Sequence, residues 1–138
     1  MNAFPVSSKI YSERTAVDIL LVEDHPPILN FLSKALTESG YSVRTAVNGR
    51  KATVLLEQHI FRLLITDIYM PEMDGFEVIM LHRATNPDVP VLAMTGGCRH
   101  TPAEENLKMA RILGSGATIA KPFELPAFLE TVKSMLAQ

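Results

Sequence analysis

Glu23, Asp24, Asp67, Thr95 and Lys121 are the residues of this chain whose types and placement could do chemistry together. Asp67 ends the run Leu63-Leu64-Ile65-Thr66-Asp67. It precedes Ile68-Tyr69-Met70-Pro71-Glu72-Met73-Asp74-Gly75, a stretch with Pro, Asp and Gly that must turn. A short unbroken apolar run reads as a strand buried on both faces, so Asp67 stands at the carboxyl end of a central strand. Glu23 and Asp24 follow a similar run, Val17-Asp18-Ile19-Leu20-Leu21-Val22. Thr95 and Lys121 close two further runs. In an open α/β sheet the carboxyl ends of the strands share one edge, and ligands bind there. Three carboxylates at such an edge repel one another unless a cation sits among them. Mg²⁺ suits them, because it takes oxygen ligands and binds phosphate oxygens; Mn²⁺ is the alternative ion. Asp67 is then expected to accept a phosphoryl group as an acyl phosphate. Lys121 and the metal would neutralise the equatorial oxygens, and Thr95 would offer a hydroxyl donor.

The elements that must position these residues alternate along the chain. Residues 1–15 are polar and aperiodic and read as a loose arm before the domain. The first strand covers 17–22. Pro26 and Pro27 then fall in the first turn of a helix, where the early amides have no intrahelical acceptor. Ile28, Leu29, Leu32, Ala35 and Leu36 follow at helical spacing, and Gly40 is a left-handed cap. A more exposed strand over 41–46 leads through Asn48-Gly49 to a helix over 51–58. The Asp67 strand over 63–67 is third, followed by a helix over 75–84 and a fourth strand over 89–95. Gly96-Gly97-Cys98-Arg99-His100 connects to Thr101-Pro102-Ala103-Glu104, which combines a Thr cap, a first-turn Pro and a capping-box Glu. That helix runs to about 113. A fifth strand over 117–121 stops at Pro122, and a last helix spans 125–136. Five β-α units imply an α/β fold with a doubly wound, five-stranded parallel sheet covered by helices on both faces.

With 138 residues the chain holds one domain's worth of core. A net charge of −2 gives no global pull toward nucleic acid or an anionic membrane, so no direct nucleic-acid contact is expected. The single cysteine, Cys98, forms no internal disulfide, which fits a reducing, cytoplasmic setting. Cys98 is read as a neutral thiol. No run approaches the ~18 apolar residues of a spanning helix. His25, His59, His82 and His100 lack metal-ligand spacing and read as surface or turn residues.

The sequence resembles the receiver domains of bacterial two-component response regulators. The resemblance is carried by Ile19-Leu20-Leu21-Val22-Glu23-Asp24, by Leu64-Ile65-Thr66-Asp67 continuing to Met70-Pro71-Glu72-Met73-Asp74-Gly75, by Val91-Leu92-Ala93-Met94-Thr95 and by Lys121-Pro122-Phe123. It implies a flavodoxin-like (βα)5 receiver over 16–138, with no output domain after it. It implies that Asp67 takes a phosphoryl group from a sensor histidine kinase or a histidine phosphotransfer protein. Glu23, Asp24 and Asp67 would hold Mg²⁺ together with the backbone carbonyl of Tyr69. Thr95 would bond the phosphoryl oxygen and Lys121 would pair with it. The surface formed by the last two helices and the fifth strand would be read by a downstream partner and would suit a homodimer. Two features depart from the family pattern. Thr118 stands where Tyr or Phe usually precedes the lysine by three residues, and the connection from Thr95 to Lys121 is longer than usual.

Other readings stay beside this one. A receiver-like module could bind a partner without phosphotransfer. A phosphatase working through an aspartyl phosphate would need a second Asp two residues after Asp67, where Tyr69 stands, so no enzyme of that kind is expected. A flavin site is the remaining option for such a fold. Gly96-Gly97 falls short of a dinucleotide fingerprint.

Overall fold

The computed structural model describes residues 14–68, 75–95 and 116–137. The expected arm up to residue 13, the turn at 69–74, the connection at 96–100 and the helix over 101–113 lie outside the described residues. The described elements are β1 (Thr15–Val22), α1 (Pro26–Glu38), β2 (Val43–Ala46), α2 (Gly49–Gln58), β3 (His59–Asp67), α3 (Gly75–Thr85), β4 (Val91–Thr95), β5 (Ala117–Ala120) and α4 (Leu125–Leu136).

The strands form one parallel sheet in the order β2-β1-β3-β4-β5. This is the flavodoxin-like order, and the direction of winding reverses between β1 and β3. The central strands read as apolar runs because helices cover both of their faces. Residues Ile19, Leu20, Leu21, Val22, Leu63, Leu64 and Ile65 have no exposed surface. Leu29, Leu32 and Leu36 of α1 join Phe128, Val132 and Leu136 of α4 against Ile19, Leu21, Leu63 and Ile65. Ala52 and Leu56 of α2 join Val78 and Ile79 of α3 on the opposite face, against Leu20, Val22 and Leu64.

Local signals set the ends of α1. Pro26 and Pro27 open it, and His25 caps it in extended backbone. Gly40 takes φ of 99°, a left-handed conformation that costs glycine little. It turns the chain so that the Tyr41 amide reaches the Leu36 carbonyl.

Several features differ from the sequence reading; among the smaller ones, β2 starts at Val43, α2 at Gly49 and β5 ends at Ala120. β3 starts at His59 rather than 63, because His59, Ile60 and Phe61 pair with Thr15, Ala16 and Val17. The same pairing carries β1 back to Thr15. β4 starts at Val91, after Pro90, whose carbonyl still accepts from the Leu64 amide. His82 is not a surface residue: it is fully buried on α3. It lies three and four residues beyond Ile79 and Val78, on the stripe that faces the sheet.

Candidate functional site

The register of the sheet brings the acidic residues together. Val22 of β1 pairs with Thr66 of β3, so Glu23 and Asp67 leave their strands at the same level. The reversal of winding between these strands opens the crevice in which α/β sheets bind ligands. Carboxylate oxygens of Glu23, Asp24 and Asp67 all lie within 4.8 Å of one another. Glu23 is 1% exposed and Asp67 5% exposed, while Asp24 is half-buried.

Lys121 closes the cluster from the other side. It follows β5, where its amide donates to the Thr95 carbonyl at 2.6 Å, and its Nζ reaches back across the sheet edge. Nζ donates to Glu23 Oε1 at 2.5 Å and to Asp67 Oδ2 at 3.0 Å. Glu23 Oε2 also accepts from the His25 amide at 3.2 Å. Burial pushes the Glu23 carboxyl up, against the pull of Lys121. Burial acts to lower the Lys121 ammonium, but its bonds to the two carboxylates outweigh that effect and hold it above the ordinary lysine range.

Residue types alone suggested that the carboxylates depend on an added cation. The structure shows a resident one: Lys121 bonds two of the three. One ammonium against three carboxylates still leaves the cluster short of positive charge. Hard oxygen donors converging this closely fit Mg²⁺.

Gly75, which the sequence reading placed at the end of a turn and the start of a helix, is also a positioning residue. Its amide donates to the Ile68 carbonyl at 2.9 Å. A Cβ built on Gly75 would fall against the Asp67 carbonyl oxygen and the Ile68 Cα, both backbone atoms. The first residue of α3 is therefore pressed onto the strand end that carries Asp67. The Asp74-Gly75 pair before an apolar helix was the available signal.

Thr95 ends β4 half-buried, paired in register with Ala120. Thr118 is exposed in the middle of β5. The Tyr69 carbonyl, expected as a metal ligand, lies outside the described residues, as do Cys98 and His100.

Comparison with known proteins agrees with this architecture. The family model for the response regulator receiver domain matches residues 19–133. The response regulator receiver protein CpdR of Brucella abortus is 36% identical over 120 residues, covering 86% of this chain and 95% of that protein. The transcriptional regulatory protein ZraR of Salmonella typhimurium is 32% identical over 124 residues; the match covers 90% of this chain but only 27% of that longer protein. Among solved structures, the response regulator TrrA of Thermotoga maritima, in complex with Mg²⁺ and BeF, superposes with a TM-score of 0.72 at 27% identity, covering 88% of this chain and 98% of that one. The chain belongs to the response regulator receiver domain family of two-component systems. Members of this family are generally signalling switches rather than enzymes. Among the described residues no helix is long and apolar enough to cross a membrane.

Proposed function

We propose that this chain is a phosphorylation-operated switch that accepts a phosphoryl group on Asp67 from a sensor histidine kinase or a histidine phosphotransfer protein. The observation that carries the reading is the convergence of three carboxylates and one ammonium at the carboxyl edge of the sheet. An oxygen of Asp67 attacks the phosphorus of a phosphohistidine. The nitrogen–phosphorus bond breaks, and the leaving imidazole takes up a proton. Lys121 exchanges its bond to Asp67 for one to a phosphoryl oxygen, so the transferred charge meets a cation already in place. Thr95 donates its hydroxyl to another phosphoryl oxygen. Glu23, Asp24, Asp67 and the Tyr69 carbonyl would hold Mg²⁺, or Mn²⁺ in its place, which neutralises developing charge on the phosphoryl oxygens.

Moving Lys121 and Thr95 shifts the populations of two arrangements of β5 and the helices beside it. A downstream protein reads that surface, which also suits self-association. The receiver works in the cytoplasm without binding nucleic acid directly. Thr118, small and exposed in β5, favours a readout that does not use an aromatic side chain there. Its extreme form is a module that signals by binding alone.

Fluorine NMR with beryllofluoride and Mg²⁺ tests the site. A bound signal in the wild-type protein that is absent in Asp67→Ala supports the reading, as does the Mg²⁺–BeF complex of the related TrrA. The same free-fluoride spectrum for both proteins would contradict it.

A further inference from the structure

Thr66 is fully buried one residue before Asp67. Side chains along β3 alternate between the two faces of the sheet. Leu64 and Ile68 pack against α2 and α3, and Thr66 lies between them on that face. Leu63 and Ile65 pack against α1 and α4, so Asp67 belongs to the opposite face. A hydroxyl among apolar side chains has no water and needs a partner inside the protein. The partner of Thr66 is the carbonyl oxygen of Asp67, to which its Oγ1 donates at 2.9 Å.

Valine has the same branched shape and would fill the same space in a strand. Packing alone does not call for the hydroxyl; the bond to the Asp67 carbonyl is what it adds. That carbonyl opens the peptide between Asp67 and Ile68, which is held on its other side as well. The Ile68 amide donates to the Met94 carbonyl at 3.2 Å, and the Ile68 carbonyl accepts from the Gly75 amide at 2.9 Å. Gly75 approaches the same Asp67 carbonyl oxygen so closely that no side chain fits between them. The backbone atoms of a residue fix where its Cβ points, so a peptide held on both sides sets the direction in which the Asp67 carboxylate leaves the strand.

That direction matters most when side-chain bonds change. In the transfer proposed above, Lys121 gives up its bond to Asp67 Oδ2, and the carboxylate loses a side-chain anchor as it attacks. The attacking oxygen must stay within about 3–3.5 Å of the phosphorus and in line with the leaving nitrogen. The backbone then has to hold that line. We propose that Thr66 is a positioning residue for phosphoryl transfer: from the far face of the sheet, its hydroxyl holds the Asp67 carbonyl and, through it, the line of attack of the carboxylate. This rests on the reading of Asp67 as the acceptor.

The test is the rate of phosphoryl uptake from acetyl phosphate at saturating Mg²⁺, followed by intact mass on the full chain. The proteins are wild type, Thr66→Val, Thr66→Ser and Thr66→Ala, with a urea midpoint for each. Thr and Val share a shape and differ in the hydroxyl. Ser and Ala repeat that comparison with a smaller side chain, so one pair decides the matter if a member of the other folds poorly. Thr66→Val is expected to react at least about fivefold more slowly than wild type, with a urea midpoint no lower than that of Thr66→Ser. Thr66→Ser loses a buried methyl group and with it some stability, yet it reacts faster than Thr66→Ala by a similar factor. Rates then follow the hydroxyl while stabilities follow the methyl group. Equal rates within a pair of folded proteins, or rates that rank as the urea midpoints do, overturn the proposal and leave Asp67 as the acceptor. A wild type that gains no phosphoryl group removes the acceptor and the role of Thr66 with it.

Discussion

Acidifying the protein from about pH 7.5 to about pH 5 charges His82 in the unfolded chain but not in the folded one. His82 is fully buried on α3. Its pKa is lowered from 6.5 to about 4, chiefly by burial and further by the charge of Arg83; a backbone hydrogen bond with Val89 acts the other way. The unfolded state therefore binds the extra proton. Stability from this group is intact above pH 6.5, falls as the pH drops toward 4, and falls no further below that. The gap of about 2.5 units corresponds to about 3.4 kcal/mol in full, of which about 2 kcal/mol is lost by about pH 5. The assay is urea denaturation of wild type and His82→Leu at both pH values. The substitution carries a fixed cost that cancels when each protein is compared with itself. Glu23, whose pKa is raised by burial, gains stability as the pH falls, but it does so in both proteins. The wild type is expected to lose about 2 kcal/mol more than the variant. Equal losses would refute the assignment of a buried neutral imidazole.

Lys121→Met leaves Glu23 and Asp67 facing each other without their shared cation. It is expected to cost about 3–5 kcal/mol in metal-free buffer, with Mg²⁺ restoring more stability to the variant than it adds to wild type; equal Mg²⁺ effects in thermal denaturation would count against the charge argument. Gly75→Ala drives a methyl group into the backbone at Asp67 and Ile68, so it is expected to cost about 1–3 kcal/mol and to slow phosphoryl uptake, read by denaturation and by timed mass spectra. Tyr69 follows Asp67 by two residues, and under the proposed function it shields a phosphorylated Asp67 from water. Tyr69→Ala is expected to shorten the lifetime of phosphorylated protein, and an unchanged decay rate would remove that idea.

The sheet was legible wherever both faces of a strand are covered, because only apolar runs survive there. β1, the second half of β3 and β4 are of this kind. The start of β3 was not: His59-Ile60-Phe61-Arg62 mixes polar and apolar residues, and no glycine or proline separates it from α2. Its strand conformation comes from pairing with Thr15, Ala16 and Val17, a contact distant in sequence. His82 was misread because residue type was weighed above position; Val78, Ile79 and His82 share one helical stripe. The site was legible as strand ends carrying Glu23, Asp24, Asp67, Thr95 and Lys121. Parallel topology collects such ends at one edge. The sequence could not show that Lys121 bonds both Glu23 and Asp67, since that depends on how far a side chain reaches from β5. Nor could it show how closely Gly75 approaches the Asp67 carbonyl, which depends on how α3 seats against β3.

The central claim is that Asp67 takes a phosphoryl group. Incubating wild type and Asp67→Ala with acetyl phosphate and Mg²⁺, followed by intact mass, tests it most directly. The account predicts a gain of one phosphoryl group in the wild type and none in the variant. An equal gain in both would place the modification on another residue, and no gain in either would contradict a site built to accept phosphate from a small donor.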